Sequence, residues 1–231
     1  QLGQALFATA QWDEAAEVFQ QLLGVSPHDF SAQFSLSQIY QQLAQYDDAI
    51  WHAERAFDQQ PNNEQVIETI RALYQTHRNE DVKRIQLTTG AVAQQHIQNE
   101  LYTQAINVLD KTLQNHSDRV DLQILRAQAL WAMDNRVAAA ESALDILAVQ
   151  PYSLDANCIL AELWLMEQRP SDAKPYVSRV EELDPYLAFR LTTEEEPPES
   201  LVMIDALDID DRLQQEPEEI SRRGRLQVQG W

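Results

Sequence analysis

What most limits the folds open to this chain is a repeat. Trp12-Asp13-Glu14-Ala15 returns 34 residues later as Tyr46-Asp47-Asp48-Ala49, and the same step carries Ser26-Pro27 to Gln60-Pro61. Ala105, Ala139 and Ala173 keep that spacing, as do Pro151 and Pro185. A fixed period of this length implies one supersecondary unit used several times, each unit burying its apolar face by stacking on the next. Inside a period the apolar steps are helical. Phe34, Leu36, Ile39, Tyr40 and Leu43 mark one helix, while Tyr46, Ala49, Ile50, Ala53 and Phe57 mark a second that Pro61 ends. Alanines at 49, 53 and 56 allow two helices joined by a short turn to approach closely. The same reading predicts helices over 102–115, 120–133, 136–149, 154–167 and 171–182.

The recurring positions resemble the tetratricopeptide repeat. In the first copy they are Leu2, Gly3, Leu6, Ala15, Phe19 and Pro27; Leu36, Ser37, Tyr40, Ala49, Ala53, Ala56 and Pro61 carry the second. Ala127, Leu130, Ala139 and Pro151 carry a later copy, and Leu160, Ala161, Trp164, Ala173 and Pro185 the last. The resemblance covers residues 1–185 and implies an all-α, right-handed superhelical solenoid of antiparallel helix pairs. It is specific for fold and unspecific for function, since repeat arrays serve many unrelated processes.

Three stretches depart from the pattern. Ala49 to Ala105 is 56 residues, one period and 22 more, so the repeat at about 64–100 is irregular. A first helix is expected over 64–76, followed by one long helix over 82–98 that replaces two short ones. Gln1 falls partway into a first helix with no initiator methionine, so the chain is expected to begin inside a longer protein. From 186 to 231 the composition turns acidic: residues 191–221 hold eleven acids and one base, Arg212, around the apolar stretch Leu201-Val202-Met203-Ile204. Two readings of this segment stand, a solvated tail or one docked on the array.

Composition narrows the chemistry. Lys and Arg number 17 against 37 Asp and Glu, a formal charge of −20, which disfavours nucleic acid as a partner. No long uncharged apolar run suggests a membrane span, and a single cysteine, Cys158, rules out an internal disulfide framework. A soluble, cysteine-poor, acidic chain suits the cytoplasm. The five glycines leave few residues for left-handed turns or a phosphate loop. His28, His52, His77, His96 and His116 are scattered, with no pair at metal-binding spacing. No metal, cofactor or catalytic residue is expected, and the chain is read as a non-enzyme.

Binding is the better supported expectation. The resemblance implies that first helices line a concave groove. The family phases place Phe7, Phe34, Gln38, Gln41, Gln94, Asp121, Gln128, Trp131, Asp155 and Glu162 on that face. Glutamine amides can pair with the backbone of an extended peptide, and aromatic rings can anchor its side chains. Glutamine also serves simply as a good exposed helix former, the plainer reading of its recurrence. The acids at these phases predict a neutral or basic protein or peptide partner. The leading function is thus a scaffold or adaptor. The alternatives are a regulatory or substrate-recruiting domain of a longer enzyme, or a structural subunit of an assembly. Oligomeric state is left open.

Overall fold

The computed structural model describes residues 2–78, 80, 84–193 and 195–198, and among them there are helices and no strand. The helices are α1 Leu2–Ala8, α2 Trp12–Val25, α3 Phe30–Gln42, α4 Tyr46–Gln59, α5 Glu64–Leu73 and α6 Thr89–Gln98. They continue with α7 Tyr102–Leu113, α8 Val120–Ala132, α9 Arg136–Val149, α10 Leu154–Met166, α11 Pro170–Leu183 and α12 Pro185–Thr192. Helices pair as α1/α2, α3/α4, α6/α7, α8/α9 and α10/α11, and each pair packs on the next.

The two kinds of connection differ in chemistry. Between helices of one pair, a single residue takes a left-handed conformation: Ala10, Ala44, Glu100, Asp134 and Gln168, with φ between 56° and 59°. The amide of the following residue reaches back five positions, for example Gln45 N to Tyr40 O at 2.8 Å, and closes the first helix. The glycine-poor composition therefore does not prevent left-handed turns; alanine and polar residues fill them at a steric cost. Between pairs, the incoming helix is capped by a side chain at several sites. Asp29 accepts from Ala32 N at 2.7 Å, Thr88 from Ala91 N at 3.2 Å, and Asp184 from Leu187 N at 3.0 Å.

The core is a row of small clusters rather than one centre, as stacking units require. Ala15, Phe19, Leu36 and Ile39 fill the α2–α3 layer, and Ile50, Phe57, Val66 and Ile70 the α4–α5 layer. Leu109, Leu122 and Leu125 join α7 to α8, and Ala139, Ile146, Ile159 and Leu160 join α9 to α10.

The irregular region differs from expectation. Helix α5 ends at Leu73 and continues as a π-helical turn, Tyr74–Arg78. The long helix expected over 82–98 does not form: residues 84–88 lie outside any helix, and α6 begins at Thr89 because Thr88 caps it. Residues 82 and 83 lie outside the described residues. Among the described residues no second helix pairs with α5, and both α5 and α6 pack on α4. Helix α4 is a branch point.

At the far end the compact unit runs to Pro197, so α12 continues the array past residue 185. Of the acidic segment, residues 199–231 lie outside the described residues, and so does the question of its docking.

Candidate functional site

Branching at α4 encloses a polar junction between that helix, α6 and α8. Arg55, 7 % exposed, donates through Nε to Asp58 Oδ2 at 2.9 Å, and the same nitrogen stands 4.0 Å from Asp121 Oδ2 at the start of α8. Arg119 grips Asp121 with two bonds, Nε to Oδ1 at 2.8 Å and a terminal nitrogen to Oδ2 at 2.6 Å. Thr88 donates to the other Asp58 oxygen, bringing the start of α6 into the network. Gly90 lies so close to Asp58 that a Cβ there would stand 2.5 Å from Oδ2. Only glycine permits this approach.

The junction perturbs its own acids. Burial pushes Asp58 up to about 6, although Arg55 pulls the other way. Burial would raise Asp121 too, but the hydrogen bonds and charge of Arg119, with help from Arg55, hold it below its ordinary value. His28, in the turn before α3, is lowered by burial against the opposing charges of Asp121 and Asp155. His52 on α4 is lowered to about 4, by burial first and then by Arg55. His52 Nδ1 lies 2.7 Å from Gln33 Oε1.

This geometry sorts the ten residues assigned to the groove. Phe7 is half-buried in the first pair, its ring edge-on to Trp12 at 5.2 Å. Phe34, Gln38 and Gln41 share one face of α3, where Phe34 stacks on Phe30 at 5.8 Å. Gln94 turns to α4 instead, donating to Gln59 Oε1 at 3.1 Å. Asp121 is buried at 7 % exposure and ion-paired, a group that holds the array together.

The remaining four come together across α8 and α10. Gln128 Nε2 donates to Asp155 Oδ1 at 2.8 Å. Glu162 lies near Trp131, and its carboxyl is raised because burial outweighs the stabilising influence of the indole. Cys158 lies between these pairs, pushed up to about 12 by burial and by Asp155, Glu162 and Asp184. Such a thiol stays protonated and is no nucleophile at neutral pH. The result is a half-buried strip with an indole, an amide and two carboxylates.

Sequence reasoning missed the junction residues Arg55, Asp58, Thr88 and Arg119. One signal was present: no Lys or Arg precedes Arg55 in the chain. A first base arriving mid-helix at a break in the period is a candidate for a structural ion pair.

Stacked helix pairs on a 34-residue period, with a lateral strip on neighbouring first helices, define a helical repeat protein of the interaction-scaffold class. The tetratricopeptide repeat family model matches residues 1–64 and 93–156, more than half of the sequence, and the chain belongs to that family. The unmatched interval between these blocks contains α5 after its first residue, and the π-helical turn. No curated protein matches the sequence. Similar solved structures include MamA, at 12 % identity and TM-score 0.36, covering 81 % of this chain and 97 % of that one. YrrB, described as a TPR protein with an unusual peptide-binding site, shares 11 % identity at TM-score 0.38, covering 82 % and 88 %. A tetratricopeptide repeat protein from Parabacteroides merdae ATCC 43184 shares 12 % identity at TM-score 0.45, covering 82 % and 80 %. Among the described residues no helix is long and apolar enough to cross a membrane, and no cluster of His, Cys, Asp and Glu could hold a metal ion.

Proposed function

We propose that the chain is a non-enzymatic adaptor that docks a neutral or basic protein segment on the strip formed by α8 and α10. The observation that carries this is the bond from Gln128 to Asp155, with Trp131 and Glu162 one turn or two further along the same adjacent first helices. It sets two carboxylates beside a half-buried indole. An indole supplies apolar contact area at little entropic cost, and carboxylates flanking it favour a lysine or arginine beside an apolar residue. Phe34, Gln38 and Gln41 on α3 offer a second face of the same character, with aromatic and amide groups but no carboxylate. The chemistry suits recognition rather than catalysis, because neither the raised Cys158 thiol nor the paired acids form a nucleophile–base couple.

The test compares a fluorescent lysine decamer with a glutamate decamer at two salt concentrations. The lysine probe is expected to bind and to weaken as salt rises; the glutamate probe is expected to fail. Because the chain carries −20 overall, net charge alone could hold a cationic probe. Trp131→Ala leaves that charge unchanged and is expected to weaken lysine-probe binding at least about fivefold. Unchanged binding by a Trp131→Ala protein of unchanged melting temperature would move the site elsewhere.

A further inference from the structure

In a stack of helix pairs one phase of each second helix faces away from the stack, and solvent there calls for polar residues. Taken 34 residues apart, Thr103, Asn107, Asp110 and Gln114 on α7 and Ser171, Pro175, Ser178 and Glu182 on α11 keep to that rule, the proline apart. Between them, α9 carries Val137, Glu141, Leu144 and Ala148 at the same phases. Val137 is 71 % exposed and Leu144 50 %. Met133 just before the helix, Val149 at its end and Tyr152 beyond it are exposed as well. Large apolar side chains gathered in this way mark a surface that another surface covers.

Charge points to the occupant. The chain has three lysines, and two of them, Lys111 on α7 and Lys174 on α11, are exposed on the helices that flank α9. Among the described residues neither has an ion-pair partner, and nor do Glu141 and Asp145, the exposed acids of α9. The chain as a whole carries −20 and repels a copy of itself, whereas this face holds two acids and two bases. Acids on the central helix and bases on both neighbours complement a second copy laid across them.

Size agrees with charge. Val137, Ala140, Leu144 and Ala148 follow one another three or four residues apart, large and small in turn. An antiparallel second copy of α9 sets Leu144 over Ala140, Val137 over Ala148 and Met133 near Tyr152, so each large residue of the helix finds a small one or a ring. A parallel copy would set Leu144 on Leu144 and leave gaps between alanines. We propose that the outer face of α9 is the interface of a homodimer, with the two α9 helices antiparallel and crossed. The crossing carries Glu141 and Asp145 of one copy toward Lys111 and Lys174 of the other. Such a contact is isologous and closes at two copies, and it leaves the α8–α10 strip, built on first helices, open in both.

Sedimentation equilibrium of the full chain from about 1 to 200 µM tests this, because the dimer population follows mass action. Wild type is expected to pass from monomer to dimer within that range. Val137→Ser/Leu144→Gln, at exposed positions and with charge unchanged, is expected to weaken dimerisation at least about tenfold while helicity is retained. Lys111→Glu/Lys174→Glu is expected to weaken it too, and adding Glu141→Lys/Asp145→Lys to that chain is expected to restore it. Trp131→Ala is expected to leave it unchanged. For orientation, Ala140→Cys and Leu144→Cys chains, each also carrying Cys158→Ser, are expected to form a disulfide when mixed and oxidised, and little when either is oxidised alone. A monomer throughout the range would give the face to another occupant and overturn the proposal. Dimers that survive Val137→Ser/Leu144→Gln, a charge swap that restores nothing, loss of the dimer in Trp131→Ala, or Leu144→Cys linking to itself as readily as to Ala140→Cys would each overturn it as well.

Discussion

Three side-chain amides at one phase of the repeat do the same work. Gln33, Gln123 and Asn157 each donate to the carbonyl six residues back, at Pro27, Ser117 and Pro151, with distances of 2.8, 2.7 and 3.0 Å. Each clamps the turn between two helix pairs. Gln33 and Asn157 are fully enclosed; Gln33→Leu leaves the carbonyl of the buried Pro27 without that partner, and Asn157→Leu removes bonds to Pro151 O and Ser153 O and the one from Arg179. Gln33→Leu and Asn157→Leu are each expected to cost about 1–3 kcal/mol in urea unfolding, and Gln123→Leu, nearer solvent, less. No loss at either buried site would refute the clamp. Ala44 offers the opposite sign. At φ 58° its methyl is strained, and Ala44→Gly is expected to gain about 0.5–1 kcal/mol. These roles were hidden in the sequence, where glutamine reads as groove or solvent-facing. What separates Gln33 from Gln41 is the carbonyl at a turn that only the folded chain supplies.

At the scale of helices the sequence was informative wherever the period held. The expected second helix of the second unit and the one over 136–149 form as α4 and α9, because aromatic, alanine and proline positions there answer to one repeated packing problem. Where the period broke, local patterning could not say which helix would be lost. The apolar spacing over 82–98 is compatible with one helix, but Thr88 is better used as a cap that also reaches Asp58. That choice is tertiary, made by α4. Glycine substitution tests it. Gly90→Ala puts a methyl against Asp58 and is expected to destabilise by about 1–3 kcal/mol, whereas Gly24→Ala, in a helix with open space around it, is expected to stabilise by about 0.5–1 kcal/mol. Equal effects would mean that α6 is not pinned to α4. Of the residues that the phases name for the groove, the sequence could not show that Gln128 bonds to Asp155, that Gln94 turns to Gln59 on α4, or that Asp121 is held by Arg119, because each of these contacts joins different elements or a turn to a helix.

For the molecule as a whole, the junction couples both sides of the break to pH. Asp58 has a folded value of about 6, above its usual 3.8, so the folded state takes up its proton first. Its contribution is full at low pH and is lost as pH rises through 6. His52, with a folded value of about 4, and His28, also lowered, act in the other direction. Their contribution is present above 6.5 and is lost as pH falls toward their folded values. The groups facing Asp58 are Arg55 on its own helix, Thr88 at the start of α6, and Arg119 and Asp121 at the start of α8; the arginines stay charged and Asp121 is held below its ordinary value, so none of them cancels the titration of Asp58 above pH 4. Between pH 6.5 and 4 the Asp58 proton therefore offsets part of the histidine loss. Asp58→Asn removes that offset while keeping an acceptor for Arg55. Its stability is expected to fall more steeply than wild type between about pH 6 and 5, by about 1 kcal/mol over that unit, in urea titrations at both values. Carboxylates common to the two proteins cancel in the difference. Parallel slopes would show that Asp58 is ionised throughout, its charge fully balanced by Arg55, and that the two sides of the break are joined by a permanent ion pair rather than by a protonated acid.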